Sequence, residues 1–186
     1  MEILSDGDLQ NEVYGDMLQR QMSEDELLNY LDGRAILTPL NVDCDSYNTD
    51  IVAALPGTSY MYRSADEIIP SSVKDGVNYP PEFLNTLRPT DVPPHELVLK
   101  PGAVVILIRN VNVRKGLCNG LRLLVVECGE HVLKCRIIGG VRRGDYVFLQ
   151  RFNLTSEADG IPFQFTRRQF PVKLAFCLTV NKSQGE

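Results

Sequence analysis

Two helices are predicted near the start of the chain by the spacing of its apolar residues. The second begins at Ser23, which can cap the helix while Glu26 reaches back to it. Gly33 is placed to end this helix. Its apolar stripe consists of Leu27, Leu28 and Leu31. A weaker helix before it is predicted by Leu9, Val13 and Met17, which are spaced four residues apart.

A strand, a helix and a second strand are predicted between residues 34 and 62. Residues 34–37 form a short apolar run, and Thr38-Pro39 then offers an N-cap and a first-turn proline for the helix. The buried face of this helix carries Tyr47, Ile51 and Leu55. Residues 59–62 are the next predicted strand. This order and spacing predict a βαβ unit and therefore a parallel sheet.

Short strands dominate the second half of the chain. They follow a segment rich in proline, serine and aspartate, residues 69–94, in which residues 82–87 predict a helical turn. The predicted strands are residues 97–99, 103–108, 121–126, 132–138 and 146–151. Close spacing and glycine-containing turns are typical of a small antiparallel barrel. Residues 174–178 predict a last buried strand that ends in small and polar residues, as ligand-binding edges of α/β sheets do.

Composition places the chain among soluble globular proteins, with 44% hydrophobic and 23% charged residues. The longest unbroken apolar run, residues 103–108, is far shorter than the ~20 residues that span a bilayer. The acidic N-terminus resembles neither a secretory signal nor a mitochondrial presequence. We therefore expect a nuclear or cytoplasmic location and no membrane partner.

Charge is distributed unevenly along the chain. Residues 1–50 hold twelve acids and two bases, whereas residues 101–186 hold six acids and thirteen bases, a balance of +7. A basic C-terminal half on an acidic protein indicates a polyanionic partner there. The alternative is that the acidic and basic halves complement each other within one fold.

Several kinds of chemistry are excluded by missing motifs. A phosphate-binding P-loop needs a Gly-Lys pair, and the chain contains none. The G-x-S-x-G and H-E-x-x-H motifs are also absent. The five cysteines include no C-x-x-C pair, so free buried thiols are favoured over a metal site at Cys128, His131 and Cys135. We therefore predict no catalytic residue and no metal ligand.

Three stretches of sequence carry a family resemblance. The first is residues 34–41, continuing to Tyr47-Asn48. The second is residues 97–122, with the string Gly-Leu-Cys-Asn-Gly, and the third is residues 162–185, with Arg-Arg-Gln-Phe-Pro and Asn-Lys-Ser-Gln-Gly. Together they resemble the C-terminal part of the Pif-type superfamily-one DNA helicases, especially the branch carried by Helitron transposons. The resemblance covers roughly residues 30–186.

The resemblance implies an α/β fold, in which a partial RecA-like parallel sheet domain carries an inserted small antiparallel β-barrel of the Src-homology-three type. Residues 1–33 would be an acidic helical N-terminal segment. Residues 34–92 would open the second RecA-like domain and include a linker, and residues 93–165 would be the inserted barrel. Residues 166–186 would hold the return strand and a motif for DNA and nucleotide.

The resemblance also implies a set of binding residues. Hydroxyls, a lysine and exposed amides at a strand end can bind the phosphates of either ligand. The implied nucleic-acid contacts are Thr38, Asn41, Asn48, Thr179, Lys182 and Ser183, with Gln184 and Gly185 facing the nucleotide. Arg167 and Arg168 are further nucleic-acid candidates, and the alternative for this pair is a solvated turn.

The function implied is that of a C-terminal fragment of an ATP-dependent DNA helicase, which contributes single-stranded DNA contacts and half of the nucleotide cleft. The Walker A and Walker B motifs, and the arginine motif that follows Gln184-Gly185 in the family, are missing. We therefore expect ATP and Mg²⁺ only in the context of a full-length helicase, and no cofactor or ATPase activity for the isolated chain.

The partners implied are single-stranded DNA, bound weakly, and a missing N-terminal RecA-like domain. The same resemblance makes roles in DNA repair, recombination and telomere maintenance expectations. The alternative is a stand-alone small-barrel module that binds nucleic acid or protein without catalysis.

Overall fold

The computed structural model describes residues 6–69, 79–156 and 161–180. The helices in these ranges are α1 (Asp6–Gln19), α2 (Glu24–Leu31), α3 (Asn41–Ala54) and α4 (Pro81–Thr86). The first six strands are β1 (Ile36–Thr38), β2 (Tyr60–Arg63), β3 (Ala65–Ile68), β4 (Glu96–Leu99), β5 (Val104–Leu107) and β6 (Arg122–Cys128). The others are β7 (Val132–Ile137), β8 (Tyr146–Gln150), β9 (Phe152–Ser156), β10 (Phe165–Gln169), β11 (Val172–Leu174) and β12 (Cys177–Thr179). A short 3₁₀ helix covers Val113–Lys115.

The two predicted N-terminal helices are confirmed. Ser23 caps α2: its hydroxyl accepts a hydrogen bond from the Glu26 amide at 3.3 Å, and its own amide donates to the Glu26 carboxylate at 2.8 Å. Buried residues of both helices pack into the main core of the protein. These are Tyr14, Met17, Leu28 and Leu31.

The predicted βαβ unit is wrong in its second strand. β1 does pair in parallel, but its partner is β12, with Thr38 opposite Thr179. β2 pairs antiparallel with β4 instead. Only one of the four residues of β2 is buried, whereas β1 and β12 each bury two of their three residues, so β12 fits beside β1 better than β2 does. The predicted N-cap is also wrong, because Thr38 ends β1 and Leu40 precedes α3 without a side-chain cap.

A five-stranded antiparallel sheet contains four of the predicted strands, in the order β11-β5-β6-β7-β8. This sheet is not closed, so the described residues do not form the predicted small barrel. Two pairings explain the difference. β4, which was predicted to belong to the barrel, pairs with β2, and β9 leaves to pair with β10. The predicted strand over residues 174–178 is divided between β11 and β12.

A second, smaller core lies under the three-stranded sheet β3-β10-β9. It is formed by Leu84, Val92, Leu154, Phe163 and Phe165. The main core instead joins the first three helices to the five-stranded sheet and to β12. The α/β class predicted from the sequence is therefore confirmed.

None of the helices in the described ranges is both long and apolar enough to cross a membrane.

Candidate nucleic-acid interface

A cleft of about 680 Å³ lies beside the carboxyl ends of the parallel strands β1 and β12. Ligands of open α/β sheets bind at this edge, because the loops that follow the strands leave a crevice there. Three residues predicted to contact nucleic acid line it: Asn41, Asn48 and Thr179. Thr38 adjoins them, because it pairs with Thr179 across the two strands.

Thr38 sets the turn from β1 into α3. Its hydroxyl accepts a hydrogen bond from the Leu40 amide at 3.0 Å and donates to the Leu40 carbonyl at 2.9 Å. Its partner Thr179 is also buried. Asn41, the first residue of α3, is exposed at the mouth of this turn. Of these side chains, that of Asn41 is therefore the most accessible to a ligand.

Asn48 fastens α3 to the start of β12. Its side-chain oxygen accepts hydrogen bonds from the amides of Phe176 and Cys177, both at 2.9 Å. Its side-chain nitrogen donates to the Cys177 carbonyl at 3.0 Å. Asn48 is buried, so these bonds make it a residue that shapes the wall of the cleft.

Two thiols lie behind this wall. The Cys44 thiol donates to the Cys177 carbonyl at 3.0 Å. The hydrogen bond from Cys44 and the burial of the site raise the pKa of the Cys177 thiol well above its usual range. Cys177 is therefore a neutral thiol, and both cysteines are free and buried, as predicted.

Cations from distant segments also line the cleft. Lys173 donates to the Thr90 carbonyl at 3.1 Å, and Arg88 is exposed. Lys100 instead caps the end of α3, where its ammonium group donates to the carbonyls of Ala53 and Leu55 at 2.8 and 2.7 Å. Sequence reasoning missed all three cations. Lys100 and Lys173 did carry a signal, because they belong to the second and third of the three stretches that resemble the helicases, whereas Arg88 lies outside all three.

Arg167 requires a correction, because its guanidinium is completely buried. Its Nη2 lies 2.7 Å from a carboxylate oxygen of Asp66 and also donates to the Leu84 carbonyl, while Nη1 donates to the Pro93 carbonyl. These bonds hold the guanidinium inside the protein, where it cannot contact a nucleic acid, so the prediction for Arg167 is wrong. Arg168 is exposed on the opposite face of β10 and stays a prediction.

The four remaining predicted residues, Lys182, Ser183, Gln184 and Gly185, lie outside the described residues. The predicted nucleotide-facing positions are among them. Within the described ranges, no group of three or more His, Cys, Asp or Glu residues could hold a metal ion.

One segment of the chain matches a known protein family. Residues 82–128 match the family model described as DNA helicase Pif1, 2B domain. This match falls on most of α4 and all of β4, β5 and β6, together with the loop that joins β5 to β6. The chain is thus similar to part of a Pif1-type helicase, and the resemblance predicted from the sequence is confirmed.

Individual relatives agree with this match. The chain is 28% identical over 146 residues to the ATP-dependent DNA helicase PIF1 of Danio rerio, a match that covers 77% of this chain and 20% of the relative. It is 32% identical over 108 residues to that of Homo sapiens, which covers 56% of this chain and 16% of the relative. The chain therefore spans about a fifth of the length of the curated relatives it matches.

Solved structures show the same fold. The Pif1 helicase of Candida albicans superposes with a TM-score of 0.61 at 21% identity, over 96% of this chain and 44% of that one. The Pif1 of a Bacteroides species bound to single-stranded DNA gives 0.53 at 20% identity, over 94% of this chain and 40% of that one. At 21% and 20% identity, these two matches show a similar fold and nothing beyond it.

Proposed function

We propose that this chain is part of an ATP-dependent DNA helicase of the Pif1 type, in which it contributes contacts to single-stranded DNA and one side of the nucleotide cleft. The observation that carries the proposal is the cleft at the carboxyl ends of β1 and β12, which Asn41, Asn48 and Thr179 line. A relative of known structure was solved with single-stranded DNA, which makes this ligand the first to test.

Several residues that line the cleft support contact with a single strand. Exposed Asn41 and Arg88 can donate to phosphates, and Lys173 adds positive charge to the same cleft. Its apolar wall suits sugars and bases, and includes Val52, Pro89, Leu97 and Leu178. Thr38 and Asn48 act through the backbone that they hold, because their own side chains are buried. Binding of this kind depends on the DNA backbone and carries little sequence preference.

The residues that hydrolyse ATP would come from a separate RecA-like domain. Phosphoryl transfer needs a phosphate-binding loop, a carboxylate for Mg²⁺ and an arginine that stabilises charge. The chain contains no Gly-Lys pair and hence no P-loop. We therefore expect no DNA-stimulated phosphate release from the isolated chain. Gln184 and Gly185 stay our candidates for the nucleotide side. The Helitron branch and the roles in repair, recombination and telomere maintenance stay predictions.

The cleft is tested by fluorescence anisotropy with a fluorescein-labelled 20-nucleotide single strand. We expect the isolated chain to bind with a Kd no tighter than about 1 μM, which corresponds to about −8 kcal/mol. The double variant Asn41→Ala, Arg88→Gln should bind several-fold more weakly, and the slope of log affinity against log salt should fall by about 0.7.

The matched control is the double variant Asn11→Ala, Arg20→Gln. It makes the same two changes at one residue within α1 and one residue just after it. Both residues are exposed, and neither lines the cleft. The control should keep the affinity of the parent. If the cleft variant binds the single strand as tightly as the parent does, the proposed DNA contact is wrong.

A further inference from the structure

Two neighbouring loops at one end of the five-stranded sheet each present a valine followed by two cations. The first is the 3₁₀ helix Val113–Lys115, in the connection from β5 to β6. The second is Val141-Arg142-Arg143, in the turn from β7 to β8. The Arg142 guanidinium donates to the Lys115 carbonyl at 2.7 Å and so joins the two loops. We call residues 113–116 and 140–145 the basic tip.

The backbone of the basic tip is held in place by its own hydrogen bonds. The Asn112 side chain accepts from the Lys115 amide at 3.1 Å and caps the 3₁₀ helix. Gly116 and Gly144 have φ angles of 68° and 89°, which other residues rarely adopt. The Gly144 amide donates to the Ile137 carbonyl at 2.8 Å and closes the second loop onto β7. The four cations therefore project from fixed positions.

The basic tip carries more positive than negative charge. Arg142 pairs with Asp145 at 2.8 Å, and Arg143 lies 3.5 Å from Asp32. Arg114 and Lys115 are exposed, and their side chains make no hydrogen bond or ion pair with any residue in the described ranges. Two cations are thus left without a partner, beside the two exposed valines.

We propose that the basic tip binds the sugar–phosphate backbone of a nucleic acid, at a site separate from the cleft. Guanidinium and ammonium groups bind phosphates, and the release of condensed counterions favours the contact. Val113 and Val141 can pack against the sugars that lie between phosphates. Two valines without leucine or an aromatic residue offer too little apolar surface to anchor the loops in a membrane. The contact is independent of base sequence, because these cations meet phosphates and not base edges.

The double variant Arg114→Gln, Lys115→Gln tests the basic tip directly. It leaves every described hydrogen bond in place, so we expect an unchanged circular dichroism spectrum and thermal transition. The probes are a fluorescein-labelled 20-nucleotide single strand and the matching 20-base-pair duplex. The loss of two phosphate contacts should reduce the salt slope by about 1.4 on the single strand or about 1.8 on the duplex. The probe that shows the larger loss of affinity identifies the form that the tip prefers.

The control is the double variant Arg20→Gln, Arg63→Gln, which removes the same charge away from the basic tip. Its salt slope should stay that of the parent. Equal losses in the control and the tip variant would overturn the proposal, because net charge alone would then explain the binding. So would an unchanged affinity of the tip variant for both probes. Binding to phosphatidylserine vesicles that depends on Arg114 and Lys115, without an effect on DNA, would also overturn it.

The cleft variant Asn41→Ala, Arg88→Gln, measured beside the tip variant, separates this proposal from the proposed function. An effect confined to the cleft variant overturns the tip site alone. An effect confined to the tip variant supports the tip site and overturns the proposed DNA contact in the cleft. When both sites bind, the losses in the two variants should add in the combined variant.

Discussion

Asp66 and Arg167 lie opposite each other on β3 and β10 and form an almost completely buried ion pair. Their side chains are 1% and 0% exposed, and the two charged groups approach to 2.7 Å. The guanidinium also donates to the carbonyls of Leu84 and Leu87, at the end of α4. The Ser64 hydroxyl donates to the carboxylate at 2.6 Å. One pair of charges thus joins α4 to two strands of the three-stranded sheet.

Removal of the buried cation should destabilise the protein strongly. In Arg167→Gln, the Asp66 carboxylate stays buried without its partner, and such a change costs about 3–5 kcal/mol of unfolding free energy. Urea denaturation measures the loss. The same substitution at the exposed neighbour, Arg168→Gln, should change the stability by less than about 0.5 kcal/mol. Similar stabilities of the two variants would contradict the structural role of Arg167.

Asn48 should be important for stability although it lies in the wall of a binding cleft. The Asn48→Ala variant leaves the amides of Phe176 and Cys177 without their acceptor. A buried unpaired donor costs about 1–3 kcal/mol, so we expect a loss of about 2–4 kcal/mol in chemical denaturation. Asn41→Ala, on the exposed first turn of the same helix, is the control and should be nearly neutral. A stable Asn48→Ala variant would show that water replaces these bonds.

Tyr14 makes the stability depend on pH in the alkaline range. Burial raises the pKa of Tyr14 to about 12 from an ordinary value of 10, and its hydroxyl donates to the Phe176 carbonyl at 2.6 Å. A raised pKa means that the stabilisation is complete below pH 10 and is lost as the pH rises through 12. Tyr14→Phe should therefore cost about 1–2 kcal/mol at pH 8.

The difference between Tyr14→Phe and the parent, followed by denaturation from pH 8 to 12, isolates the contribution of this hydroxyl. It should be constant up to about pH 10 and should shrink above it. A difference that stays constant up to pH 12 would contradict the raised pKa.

The cysteines should differ sharply in reactivity. Burial raises the pKa of Cys128 to about 11 and that of Cys135 to about 12, so little of either thiol is the reactive thiolate at pH 8. Cys118 is partly exposed. We expect iodoacetamide to modify Cys118 first in the folded protein, as measured by peptide mass spectrometry. All five cysteines should react in guanidinium chloride, and early modification of Cys135 without denaturant would be the contrary result.

Sequence patterns within a few residues predicted much of the secondary structure correctly. They did not predict which distant strands pair. Ser23 and Glu26 specify the start of α2 by themselves, because a capping box needs only residues three apart. The partner of β1 is β12, which the chain reaches only after the whole five-stranded sheet. Spacing along the sequence favoured β2 for this position, since β2 is the next strand in order. The deeper burial of β12, which distinguishes it from β2, was not visible in so short a strand.

The candidate site was also predicted only in part. The resemblance identified Asn41 and Thr179, which do line one cleft. It could not indicate Arg88, because that residue comes from a connecting segment outside all three similar stretches. Arg167 was misassigned for a related reason. Two adjacent arginines are usually solvated, and only the pairing of β10 with β3 brings Asp66 to one of them.

The connection between α3 and β12 has a consequence for the order in which the protein folds. Asn48 and Cys177, whose hydrogen bonds form one wall of the cleft, are 129 residues apart in the chain. Closing a loop of that length costs about 4 kcal/mol of chain entropy, while the hairpins of the five-stranded sheet close at small cost. We therefore expect those hairpins to bring the two ends of the loop together before Asn48 forms its hydrogen bonds. During synthesis, we expect α3 to dock onto β12 only after almost the whole described chain has left the ribosome, so that the cleft is completed last.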